Sequence, residues 1–177
     1  MTKYLLMAAG LMLSPLLVVE ASASDFQVAV QRKKLDASKV QTRRPNTESE
    51  KNETVIYQVT VTNRAFSKES GELEARYVIF VERQELAEQP GTEQTERVRG
   101  EAKVEPLKAQ GKTTFDTKEF ALRDQQLSGK FSGYVGGGRI RAKDSIQGVW
   151  VKLYDASGAE VGEYVNPTTL RNRMKWE

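Results

Sequence analysis

The residues that could do chemistry in this chain are carboxylates, cations and aromatic rings, because its 177 residues include no histidine and no cysteine. That absence removes Ser-His-Asp and Cys-His nucleophile arrangements, His- and Cys-based metal sites, and disulfides. Carboxylate or lysine chemistry is what remains. Asp116 and Glu119 have opposite parity on an extended segment, so they do not converge as an acid–base pair. Glu101 and Glu105 could share a face, but neither has the apolar surroundings that raise a carboxyl pKa for acid catalysis. No enzyme activity, metal or cofactor is expected.

Two other groups of side chains could bind rather than react. Trp150, Tyr154 and Tyr164 form a potential aromatic row on one face of a hairpin, with Trp176 close by in the chain's last residues. Such a row stacks on sugar rings or anchors a partner protein. Packing beneath another element, for which Met174 and Trp176 are available, is the stronger alternative. Gly136-Gly137-Gly138-Arg139, with Arg141 and Lys143 following, could form a backbone nest that contacts an anion through Arg139, Arg141 and Lys143. The run lacks the spacing of a phosphate loop or a dinucleotide fingerprint, and a plain loop is the better reading. Asp155-Ala156-Ser157-Gly158 offers one carboxylate where calcium needs several oxygens, so it reads as a turn.

That turn belongs to the stretch that organises the chain, Ile146–Val165. Asp155 suits the first position of a type I turn, and Gly158 can take the left-handed conformation that closes a G1 bulge. This pairs Asp155 with Ala159. Counting back predicts Leu153 opposite Val161, Val149 opposite Val165, and Trp150 opposite Tyr164. Val149, Val151, Leu153, Val161 and Val165 then share one apolar face, and Glu163 violates it.

Net charge is +3, from 27 basic and 24 acidic residues, which describes a mixed surface rather than a nucleic-acid polycation. Residues Met1–Ala23 read as a signal peptide: Lys3, an apolar run over Tyr4–Val19, and Ala21-Ser22-Ala23 as an A-x-A cleavage signal. The alternative is an uncleaved membrane anchor, the only route by which the chain would meet a membrane. A secreted chain without disulfides points to the periplasm or exterior of a bacterium.

The mature chain, 24–177, reads as one domain. Phe26–Val30 opens it as a strand. Asp36–Glu53 is polar and reads as a long surface connection. Thr54–Asn63 alternates, with Val55, Tyr57, Val59 and Val61 on one face. Leu73–Glu82 alternates too, but Val78 and Phe80 make its second face apolar, which predicts cover on both sides. Arg83–Gly100 reads as a charged hairpin arm around Pro90-Gly91, with a short helix near Gln84–Glu88 as the alternative. Lys112–Leu122 is the next strand, Arg123–Lys143 is irregular, and Leu170–Glu177 is a basic tail on a terminal strand.

Many short strands without sustained helical periodicity predict an antiparallel β-sandwich of about seven or eight strands. The run Val55–Asn63, ending in Val59-Thr60-Val61-Thr62-Asn63, resembles the B strand of bacterial extracellular Ig-like and fibronectin III-like domains. The chain lacks the cysteine pair of antibody-type members. The resemblance implies a non-catalytic binding, spacer or assembly module whose partner is an envelope or extracellular protein. A carbohydrate-binding module using the aromatic face is the alternative, and a carboxylate hydrolase the third reading. Nucleic acid is not an expected partner.

Overall fold

The computed structural model describes residues 25–40, 49–86, 88–89, 91–127 and 138–177; for 37–40 only the backbone is described. The expected signal segment, Pro90, and the glycine run up to Gly137 lie outside them. Among the described residues, the protein is a sandwich of two antiparallel sheets.

One sheet is built from β1 (Phe26–Val40), β2 (Ser49–Asn63), β5 (Lys112–Asp116), β6 (Phe120–Gln126) and β7 (Arg141–Lys143). Its order is β1-β2-β6-β7, with β5 also paired to β2. The other sheet has the order β4-β3-β8-β9, from β3 (Leu73–Arg83), β4 (Gln94–Val104), β8 (Ser145–Asp155) and β9 (Glu160–Asn166). At one margin β1 and β9 run alongside each other.

Period-two alternation carries the fold. Val55, Tyr57, Val59 and Val61 of β2 meet Leu73, Ala75, Tyr77, Ile79 and Val81 of β3, and Val149, Val151 and Leu153 of β8, in one buried core. Each fully buried aliphatic side chain there contributes roughly 1.5–3 kcal/mol. As its sequence predicts, β3 is covered on both faces: Val78 and Phe80 join Trp150 and Leu170 in a second, smaller cluster outside the sandwich.

Three segments differ from the sequence reading. Residues 36–40 and 49–53 are not a surface connection but the ends of β1 and β2, paired with each other past a bulge at Leu35. The largely polar sequence of both stretches hides the strands, because it shows no apolar alternation. Lys112–Leu122 is two strands that follow one another along β2, at Thr62–Gln58 and then Val55–Ser49. In the break, buried Thr117 replaces the ladder: its N–H donates to the Tyr57 carbonyl (2.8 Å) and its Oγ1 accepts from the Tyr57 N–H (2.9 Å). The next amide, Lys118 N–H, donates to Tyr77 Oη of the facing sheet at 2.8 Å. The basic tail is not a strand: Leu170–Arg173 forms one helical turn, α1, after a cis Asn166–Pro167 bond. The described residues of Gln84–Glu88 are not helical.

Two buried polar side chains tie the ends of the sandwich. Asn63 Nδ2 donates toward the carbonyls of Lys68 (2.9 Å), Lys108 (3.2 Å) and Leu107 (3.3 Å), and its Oδ1 accepts from Ala65 N–H at 3.0 Å. The terminal Asn of the Val59–Asn63 motif is therefore a knot for two loops. At the opposite end Asp144 accepts from Arg83 Nη1 (2.6 Å), from Arg123 N–H (2.9 Å) and Nε (3.3 Å), and from Gln84 N–H (3.3 Å).

Candidate functional site

The face that carries the predicted binding aromatics is the outer surface of the β4-β3-β8-β9 sheet, and the last hairpin decides what it displays. The turn forms as its sequence predicts: Asp155 N–H donates to the Ala159 carbonyl (2.9 Å), and Gly158 has φ +82°. Asp155 Oδ1 also accepts from the amides of Ser157 (2.9 Å) and Ala159 (3.0 Å), and the Ser157 hydroxyl beside it pulls the Asp155 carboxyl below its ordinary range.

Beyond the turn the register departs from the expectation. Tyr154 pairs with Glu160 and Leu153 with Gly162, so Val161 is an extra residue in a bulge. A one-residue slip exchanges faces. Val149 therefore opposes Asn166 instead of Val165, and Trp150 opposes Val165 instead of Tyr164. Tyr164 opposes Val151 and packs against the main core, whereas Val165 joins the outer cluster. The same slip accounts for Glu163. It lies on the outer face opposite Lys152, where its Oε1 accepts from Trp150 Nε1 at 2.7 Å and its Oε2 accepts from Arg171.

Of the four predicted aromatics, Tyr164 leaves the row for the core side, and Trp150 and Trp176 pack on each other. Trp150 is 8% exposed and lies under Trp176, the rings 5.5 Å apart and edge-on. Lys152 Nζ lies 5.6 Å from the Trp150 ring centre and 5.2 Å from that of Trp176. Burial draws the Lys152 pKa down, but its 2.8 Å bond to Glu160 and the nearby Tyr154 and Glu163 outweigh this and leave it raised. Leu170 of α1 is fully buried against Gly148, where any side chain would collide with Leu170 and the Asn166 carbonyl. The segment Leu170–Glu177 thereby straps half of the outer face, with Arg97 lying 5.7 Å above Phe80 and donating to the Glu177 carbonyl oxygen.

The other half of the face is charged and open. Tyr154 is half-buried, with the Arg76 guanidinium 4.9 Å above its ring. Arg76 is bonded to Glu74 at 2.5 Å, which raises the Arg76 pKa and lowers that of Glu74. A groove of about 560 Å³ follows β4, lined in part by Arg76, Arg99, Gly100, Glu101, Lys118 and Trp176. A second, of about 1000 Å³, is flanked by Glu74, Lys103, Glu105, Tyr154 and Asp155.

The predicted anion contacts do not converge either. Arg139 is paired with Glu93, and its N–H donates to the Glu88 carbonyl (2.9 Å). Arg141 makes a two-pronged bond to Asp124 at 2.7 and 2.9 Å, which holds the Asp124 carboxyl below its usual range. Lys143 is exposed, and its backbone N–H donates to Gln84 Oε1. Among the described residues no group of three or more acidic side chains is placed to hold a metal ion, and no helix is long and apolar enough to cross a membrane. The sequence reading missed the open edge of β4 as a discrete feature within the arm. Its signal is the alternation of Arg97, Arg99, Glu101 and Lys103 with Val98, Gly100, Ala102 and Val104.

No family model matches the chain, and no curated protein matches it in sequence. Among solved structures, a crystal structure from Akkermansia muciniphila is similar at 13% identity and a TM-score of 0.30, covering 86% of this chain and 77% of that one. The X-ray structure of a Northeast Structural Genomics Consortium target is similar at 8% identity and a TM-score of 0.34, covering 86% of this chain and 94% of that one.

Proposed function

We propose that this is an exported, non-enzymatic Ig-like module of the bacterial envelope that works by protein–protein contact through the edge of β4. The observation that carries the reading is that edge. β4 spans Gln94–Val104, is bonded to β3 on one side, and pairs with no described strand on the other. An unpaired edge is a template for an added strand. The other margins offer less. β1 and β9 flank each other, β5 and β7 are short, and the free part of β1 is broken by the bulge at Leu35.

Strand wiring supports the Ig-like part. The orders β1-β2-β6 and β4-β3-β8-β9 correspond to A-B-E and C′-C-F-G of an immunoglobulin sandwich. β7 departs from that scheme, since it lies beside the E-like strand but follows it in the chain. The A-x-A signal at Ala21-Ser22-Ala23 supports export. The glycan alternative loses its contiguous platform, because Tyr164 turns inward and Trp176 covers Trp150.

The test is expression of the full chain in a bacterial host, with fractionation and photo-crosslinking. The processed protein should begin at Ser24 and leave the cytoplasm. A photoreactive residue at Thr95 should form discrete adducts that a proline at position 99, which removes an edge N–H, abolishes. Retention of the full-length chain in the cytoplasm would refute export. Adducts indifferent to the proline would refute the edge.

A further inference from the structure

We infer that the occupant of the β4 edge is a second copy of the same strand, related by a twofold axis through Gly100. This deepens the edge-pairing reading and rests on it.

Charge along β4 selects the partner. On the outer face, Lys103 lies opposite Glu74 of β3, and Glu101 opposite Arg76. Arg97 lies opposite Phe80 and is held by the Glu177 carbonyl. Arg99 is the exception. It is exposed, its β3 partner is Val78, and it makes no ion pair with any described residue.

An antiparallel copy with Gly100 opposite Gly100 brings each Arg99 against the partner's Glu101, giving two symmetric ion pairs. On the core-facing side, the same register sets Val98 against Ala102 in both directions. Shifting by one pair in either direction places Arg99 against Arg99, or Glu101 against Glu101. Cross-strand pairs contribute when charges are opposite and destabilise when they are alike. The Gly100-centred register also sets Arg97 against the partner's Lys103, and the Arg99-centred one sets Arg97 against Glu101. Arg97 is already bonded to the Glu177 carbonyl, so it is the charges left free beside the axis, Arg99 and Glu101, that favour the Gly100-centred register. The axis also falls where β4 is narrowest. Tyr77 Oη occupies the space a side chain at position 100 would need, 2.2 Å from where its Cβ would stand. The contact is isologous and closes on itself, which ends association at the dimer.

A single strand pair buries less than the roughly 1,200 Å² of a stable complex, so the dimer forms at high protein concentration. Sedimentation equilibrium of the processed chain should show mass rising toward twice the monomer value. Arg99→Glu and Glu101→Arg, both at exposed positions, should each weaken self-association by about tenfold, since two pairs become like-charged. An equimolar mixture of the two variants should associate more strongly than either alone, because each brings the charge the other lacks. Circular dichroism and the melting midpoint verify that both variants fold.

A wild-type protein that stays monomeric throughout, or a mixture no better than its components, overturns the inference. If Thr95 adducts to a different envelope protein persist in that case, the edge reading stands and the self-pairing falls. If the proline at position 99 leaves both adducts and self-association unchanged, both fall.

Discussion

Removing the carboxylate of Asp144 should separate the two sheets at one end of the sandwich. Asp144 lies between β7 and β8, where the chain crosses from one sheet to the other, and its side chain is 1% exposed. It binds Arg83 at the end of β3 and Arg123 in β6, one on each sheet. Breaking a buried ion pair from one side costs about 3–5 kcal/mol. Two features bring Asp144→Ala to the lower end of that range. Arg83 is 20% exposed, and it keeps Glu96 at 2.6 Å and the Ala121 carbonyl at 2.7 Å. The amides of Arg123 and Gln84 nevertheless lose their acceptor, at about 1 kcal/mol or more each when left unpaired. A net loss of about 3 kcal/mol corresponds to roughly 6–12 °C in melting midpoint for a domain of this size. Asp144→Asn, which retains one acceptor oxygen, should lose about half as much. The assay is thermal and urea unfolding followed by circular dichroism, with Asp124→Asn, at a half-buried ion pair, as the comparison. An Asp144→Ala midpoint no lower than that of Asp124→Asn would refute the clamp.

At the opposite end, Asn63→Ala removes the side chain that holds the 64–70 and 107–111 loops; a loss of about 2 kcal/mol and faster proteolytic cleavage after Lys68 or Lys108 are expected. Leu170→Ala should cost about 2–3 kcal/mol and release the strap, read as a shift of tryptophan emission to longer wavelength as Trp150 meets water; unchanged emission would count against the strap. The Asp155 carboxyl is depressed in the folded state, so its contribution to the hairpin is complete above the ordinary carboxylate value of about 3.9 and is lost as pH falls through the folded value. The protection of the Ser157 and Ala159 amides, measured as exchange relative to the intrinsic rate at each pH, should therefore fall in acid, and Asp155→Ala should lower it at all pH values and abolish that fall. Gly100→Val should destabilise the fold by driving Tyr77 out of the core, and so has no use as a probe of the edge.

How much was legible depended on whether a strand has a reason to be greasy. β2, β3 and β8 face the core along their length, so alternation marks them, and Val78 with Phe80 announces the second cover on β3. The end of β2 is paired on both sides, with β1 and with β6, but its sequence Ser49-Glu50-Lys51-Asn52-Glu53 is polar throughout, so periodicity is silent there. The Val161 bulge is invisible for a different reason. Val-Gly-Glu-Tyr-Val presents an apolar residue to the core in either register, so hydrophobicity cannot choose between them. The charge could have chosen: Glu163 violates the first register and satisfies the second, with Trp150 Nε1 as its donor. Asp144 gave no sequence signal, because a buried acid in a polar stretch looks like any solvated one.

The bulge also determines what the outer face can be. Had Tyr164 remained beside Trp150, the last hairpin would present an aromatic platform, and Glu163 would be driven into the core without a partner. With Val161 inserted, Glu163 comes outside and fixes both Trp150 and Arg171, which sets α1 where Leu170 reaches Gly148. Trp176 then closes over Trp150, and Arg97 is drawn to the strap rather than to the edge. What remains open along β4 is the stretch where Arg99 has no carboxylate partner among the described residues and Glu101 has Arg76 opposite it across the ladder. The placement of one extra residue in β9 thus breaks up the contiguous aromatic row, while the outer edge of β4 pairs with no described strand.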